Sequence, residues 1–112
     1  MTPEEAHLKL LLMLEQRPDH TQRSLSQALG ISLGKTNYCL RALIEKGYVK
    51  AGNFRRNPNK RGYLYALTAS GIRERLKRTQ DFLERKQRDY ELLRAEIESL
   101  KHQLGTQRDM SR

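Results

Sequence analysis

From Ala69 to about Leu104 the chain has no proline, and its apolar residues return every seven positions. Leu76, Leu83, Tyr90, Ile97 and Leu104 fall in one register, and Ile72, Thr79, Lys86, Leu93 and Leu100 in a second. Taken as the a and d positions of a heptad, eight of these ten are apolar or aromatic; Thr79 and Lys86 depart. A repeat sustained this long specifies a long helix that packs on another helix as a coiled coil. Its own chain cannot cover the whole stripe. About 33 residues rising about 1.5 Å each project about 50 Å, farther than a head of about 70 residues reaches. The dimerisation set is therefore Ile72, Leu76, Leu83, Tyr90, Leu93, Ile97, Leu100 and Leu104, and the expected partner is a second copy. Flanking charges favour a parallel pair. Asp89 and Glu96 lie at g positions, and Arg73, Arg94 and Lys101 at e positions. A parallel arrangement sets Asp89 against Arg94 and Glu96 against Lys101 of the partner, whereas an antiparallel one sets mostly basic e against basic e.

Ahead of that helix the periodicity is shorter and well punctuated. Thr2, Pro3 and Glu5 form a helix start with a capping box, Leu8, Leu11 and Leu12 follow helical spacing, and Pro18 ends the segment. Thr21 caps a second helix from Gln22 to Leu29, burying Leu25, Ala28 and Leu29, with Gly30 as its stop. Ser32 caps a third, Leu33 to Lys46, with Leu33, Thr36, Leu40, Leu43 and Ile44 inward and Gly47 as the next stop. The period then changes. Tyr48-Val49-Lys50-Ala51 and Tyr63-Leu64-Tyr65-Ala66-Leu67 have the branched and aromatic content of strands. The expected architecture is mainly α with a small β-hairpin: a winged helix-turn-helix over residues 1–70, a coiled-coil dimerisation helix over 71–104, and a disordered tail over 105–112.

Charge then indicates the partner. The chain carries 22 Lys and Arg against 13 Asp and Glu, a net charge of +9. The surplus is concentrated: Lys50, Arg55, Arg56, Lys60 and Arg61 crowd a stretch with no acid, at the expected hairpin tip. A helix-turn-helix followed by a basic-tipped hairpin points to double-stranded DNA. In such a unit the second helix enters the major groove. Lys35, Asn37, Tyr38 and Arg41 lie off its apolar face, where Asn can pair with adenine and Lys or Arg with guanine or phosphate. Gly34 would let the backbone approach closely. Thr21 and Gln22, at a helix start, can hold a phosphate. Arg55, Arg56, Asn59, Lys60 and Arg61 make up the wing contacts.

These residues also carry a resemblance. Leu43-Ile44-Glu45-Lys46-Gly47-Tyr48-Val49 resembles the recognition-helix end of the multiple-antibiotic-resistance regulator (MarR) family of winged-helix proteins. Asn59-Lys60-Arg61, five residues, then Leu67-Thr68-Ala69-Ser70-Gly71 is similar to that family's wing motif, Asp-x-Arg followed by Leu-Thr-x-x-Gly. The run Gly34-Lys35-Thr36-Asn37-Tyr38-Cys39-Leu40 looks closest to its exopolysaccharide-associated branch. The resemblance spans roughly residues 5–100. It implies a dimeric transcriptional regulator, of exopolysaccharide biosynthesis genes in that branch, whose wing Arg61 enters the minor groove. Asn59 stands at the family's acidic position, so Arg61 is offered a hydrogen-bond acceptor there in place of an ion-pair partner.

Other classes find little support. His7, His20 and His102 lack the spacing of a helical metal pair, one Cys precludes an intrachain disulfide or a Cys-based zinc site, and no phosphate loop or nucleophile elbow occurs. Neither an enzyme nor a metal or other cofactor is expected. Cys39 reads as a small buried residue; a redox sensor there needs an exposed thiol of low pKa. The longest apolar run, Leu10 to Leu14, is far short of a membrane span, so a cytoplasmic protein is expected. Small effectors bind family members between the DNA-binding and dimerisation regions, where this chain has fewer helices and no enclosed pocket is expected. The alternative to DNA binding is a protein-interaction adaptor, with the winged helix as scaffold and the coiled coil as partner site. RNA binding is a third.

Overall fold

A computed structural model describes residues 1–52 and 64–110, with side chains as far as Thr106. Hydroxyl caps place each helix start. α1 (Pro3–Gln16) begins where Thr2 Oγ1 accepts the Glu5 N–H at 3.1 Å and Pro3 takes the first turn. α2 (Gln22–Leu29) starts from a capping box in which Thr21 and Ser24 each accept the other's backbone N–H at 3.0 Å. α3 (Leu33–Glu45) starts from Ser32, which accepts the Lys35 N–H at 3.1 Å. Gly30 and Gly47 end α2 and α3 with φ of 69° and 78°, the left-handed region where a Cβ is costly.

Capped in this way, the helices turn one apolar face each toward a common core. Ala6, Leu10, Leu11 and Leu14 of α1 meet Leu25 of α2, then Cys39, Leu40 and Leu43 of α3, and finally Val49. Two positions differ from the sequence expectation. Leu33 was expected inward and is 47% exposed. A first-turn side chain leans toward the helix N-terminus and has no preceding turn beneath it. In α2, Ala28 is exposed and Ser26 is buried, its hydroxyl satisfied by the Arg23 carbonyl at 2.8 Å.

A short antiparallel ribbon follows, β1 (Val49–Ala51) beside β2 (Tyr65–Leu67), with Val49 opposite Leu67. Its root is tied to the α1–α2 connection, because the Pro18 carbonyl accepts from Leu64 at 2.9 Å and Tyr65 at 3.3 Å. Then α4 (Ala69–Met110) begins, and the junction is tight. Thr68 accepts the Gly71 N–H at 3.0 Å and donates its hydroxyl to the Gly47 carbonyl. Its own N–H donates to the Tyr48 carbonyl at 3.1 Å. Ser70 also donates to Gly47, at 3.0 Å. A Cβ on Gly71 would overlap the Tyr48 carbonyl oxygen, so only glycine lets the helix start this close.

The chain forms two compact units, Met1–Thr79 and Gln80–Arg112. This division falls later than the expected boundary after residue 70, because the start of α4 is fastened to α1. Arg75 Nε lies 2.8 Å from Glu15 Oε2, an ion pair without hydrogen-bond alignment. Arg78 bonds Glu74 at 3.0 Å and approaches His7 Nδ1 at 3.4 Å. In the second unit every described side chain is exposed except Phe82, whose ring sits 5.2 Å from Lys86 Nζ. The helix also runs through Gly105, so the tail expected to be disordered is helical as far as Met110. A single glycine costs about 1 kcal/mol against Ala, and that alone does not stop a helix.

Two outcomes are expected. Gly71→Ala forces the junction apart and lowers stability by roughly 1–3 kcal/mol, read as a drop in thermal midpoint; an unchanged midpoint removes the close-packing argument. His7 is held below the ordinary value of 6.5 by burial first, then by the charges of Arg78 and Lys46, with Glu4 opposing. The unfolded chain therefore takes up that proton more readily, so this contribution is complete above about 6.5 and falls as pH drops through and below it. His7→Gln should flatten the denaturant midpoint between about pH 7 and about pH 5.

Candidate nucleic-acid interface

With Thr36, Cys39, Leu40 and Leu43 committed to the core, helical geometry turns Gly34, Asn37, Tyr38 and Arg41 outward, and Leu33, in line with the inner face, is exposed because it stands at the helix end. Tyr38 is 75% exposed and Arg41 is exposed, while Lys35 and Asn37 are half-buried. Lys35 Nζ lies 3.5 Å from the Met1 carbonyl. Asn37 is fixed from the side: its Oδ1 accepts from Gln22 Nε2 at 3.1 Å, and the same Nε2 donates to the Tyr65 hydroxyl at 3.1 Å. One amide thus joins the start of α2, the middle of α3 and the first residue of β2. Among the described residues Asn37 keeps a second Oδ1 lone pair and its Nδ2 protons open.

The structure places the two proposed phosphate holders differently. Thr21 lies in the exposed capping box, beside His20, whose Nδ1 is 2.9 Å from Ser24 Oγ. Gln22 turns its side chain toward α3 and β2, where it orients Asn37. From the sequence Tyr65 is a strand residue and nothing more. Its partner is 43 positions away in sequence, a separation that local spacing does not encode. Arg55, Arg56, Asn59, Lys60 and Arg61 lie outside the described residues. Lys50, at the root of the same basic run, is exposed on β1.

Cys39 is 2% exposed, and burial pushes its thiol pKa up against the opposing pull of Lys35. This is the environment of a packed thiol rather than a reactive one. Among the described residues no group of three or more His, Cys, Asp or Glu could hold a metal ion. Nor is any described helix long and apolar enough to cross a membrane. Of the expected dimerisation set, Ile72 and Leu76 in the first unit are exposed. So are Leu83, Tyr90, Leu93, Ile97, Leu100 and Leu104 in the second.

Comparison with known proteins agrees with this geometry. A winged helix-turn-helix DNA-binding family matches residues 4–50. The structure is similar to wild-type apo MarR from E. coli, at 32% identity and a TM-score of 0.54, over 67% of this chain and 54% of that one. It is similar to MepR of S. aureus in a DNA complex, at 25% identity and TM-score 0.57, over 78% and 60% of the two chains. FabT of Streptococcus pneumoniae in complex with DNA matches at 26% identity and TM-score 0.50, over 74% and 58%. The chain thus spans little more than half the length of MarR. A comparison with curated proteins finds no match. The fold is a winged helix-turn-helix followed by a long helix.

The Gln22 bridge is testable without any ligand. A thermodynamic cycle of Gln22→Ala with Tyr65→Phe is expected to leave a coupling of about 0.5–1.5 kcal/mol. Strictly additive losses in chemical denaturation would show that the bridge contributes nothing.

Proposed function

We propose that this chain is a DNA-binding transcription regulator of the MarR type. In this reading it acts in the cytoplasm and grips a two-fold operator as a homodimer. The observation that carries it is the outward face of α3. Tyr38 and Arg41 stand exposed on the second helix of a helix-turn-helix, with Asn37 held between them and the wing root. Arg41 and Lys35 reach guanine or phosphate, and Asn37 reads adenine. Lys60, Arg61, Arg55 and Arg56 follow the backbone and the minor groove, with Asn59 beside Arg61. Thr21 supports a phosphate at the start of α2.

Dimerisation follows from the heptad stripe, whose apolar members lie exposed along α4 and whose g and e charges suit a parallel partner. Half-sites about 34–36 Å apart, one helical turn, are the spacing to expect. The likeness of Gly34–Leu40 to the exopolysaccharide-associated branch supports polysaccharide biosynthesis genes as the regulated set.

Fluorescence anisotropy on the duplex upstream of the chain's own gene tests the reading, with salt varied. Wild-type affinity is expected to fall linearly on a log–log salt plot. Arg41→Ala should cost about 1–3 kcal/mol and relax base preference. Lys60→Ala should weaken binding to all duplexes alike and reduce the salt slope by about 1. Binding that ignores both salt and Arg41 favours the adaptor role instead.

A further inference from the structure

We propose that the first turn of α3 is the point of closest approach to the bases. Leu33 packs there on the C5-methyl group of a thymine, over a depression left by Gly34. This rests on the DNA-binding reading above and adds a base preference to it. Two independent observations carry it.

The first is Leu33 itself. It opens α3 beside Gly34 and lies half in solvent. Asn37 sits one turn on from Leu33, Tyr38 one turn on from Gly34, and Arg41 one turn beyond both. Outside α4, the only other exposed large apolar side chains among the described residues are Tyr38 and Met1. A single exposed apolar residue is ordinary. Leu33 and Tyr38 lie on either side of the Asn37 and Arg41 row, so an amide and a guanidinium stand between two exposed apolar side chains. Leu33 can neither donate nor accept a hydrogen bond, so its partner must be apolar. The thymine methyl is the apolar group that base pairs display in the major groove.

The second is Gly34. A Cβ built there meets nothing within 4 Å, and its φ lies outside the left-handed region. Gly30 and Gly47 need positive φ, and Gly71 must clear the Tyr48 carbonyl. The fold makes no such demand at Gly34, where alanine would restrict the unfolded chain and favour the helix. What the glycine supplies is a missing side chain on the outward face, next to Leu33 and one turn from Tyr38. A surface that must lie against something flat and close is served by that gap.

The test uses the full-length protein and the duplexes it recovers from a randomised DNA pool. In the recovered consensus each thymine is exchanged in turn for uracil, which keeps the base pair and removes only the methyl group. At one thymine or more, uracil is expected to weaken wild-type binding about four-fold, the value of one buried methyl-sized group. Leu33→Ala should bind the thymine and uracil duplexes alike. Gly34→Ala should melt at or a few degrees above wild type yet bind the consensus about ten-fold more weakly, as for one lost base-edge contact. Three results overturn the inference while leaving DNA recognition standing: no uracil effect that depends on Leu33, a Gly34→Ala variant that binds as tightly as wild type, or one that melts below it. A pool that yields no enriched duplex overturns both.

Discussion

The head depends on one crowded junction. The backbone of Gly47 and Tyr48, just past α3, is bonded to Thr68 and Ser70 just ahead of and within the first turn of α4, and Gly71 rests on the Tyr48 carbonyl. The end of α3, the entry to β1, the exit from β2 and the start of α4 are thereby held in one place. A backbone carbonyl left without a partner in a packed junction is costly. Here the Gly47 carbonyl accepts from the hydroxyls of Thr68 and Ser70, and the Tyr48 carbonyl from the Thr68 N–H. The Leu67-Thr68-Ala69-Ser70-Gly71 motif is thus a structural clasp, in which Thr68, Ser70 and Gly71 each meet the backbone of Gly47 or Tyr48. The outward side of α3 inherits its aim from this clasp and from the core beneath it.

Electrostatics divides the molecule along the same lines. Glu15, Glu74, Arg75 and Arg78 spend their charges on each other and on His7, and so secure α4 against α1. Arg41 and Lys50 stand exposed away from that cluster. A net charge of +9 is therefore not a uniform coat. Part is structural and neutralised, and part is presented outward, where a polyanion would meet it.

Much of this was legible in the sequence because the signals are local. Thr2, Thr21 and Ser32 are readable as caps, and Gly30 and Gly47 as stops, since capping and left-handed turns depend on residues within one helical turn. The exposed stripe of α4 was readable from its seven-residue period. Three features were not. Leu33 obeys the spacing of the inner face but sits at the helix end, where spacing alone misplaces it. The extent of α4 beyond Gly105 depended on a single residue of modest cost. The Gln22–Asn37–Tyr65 bridge joins three elements distant in sequence, so only the assembled fold brings its atoms together. The wing residues Arg55 to Arg61 rest on sequence and resemblance alone.

One consequence of the caps concerns what they lack. All four are neutral hydroxyls, and neither α2 nor α3 has an acidic residue in its first turn. Aspartate would cap as well and would favour the helix dipole. It would also set a fixed negative charge at the starts of both helices. Ser and Thr satisfy the same N–H groups while leaving the positive ends of both dipoles unmasked. Because a hydroxyl carries no charge, the caps themselves add nothing that opposes an anion, and the only charged side chains in the first turns of α2 and α3 are the cations Arg23 and Lys35.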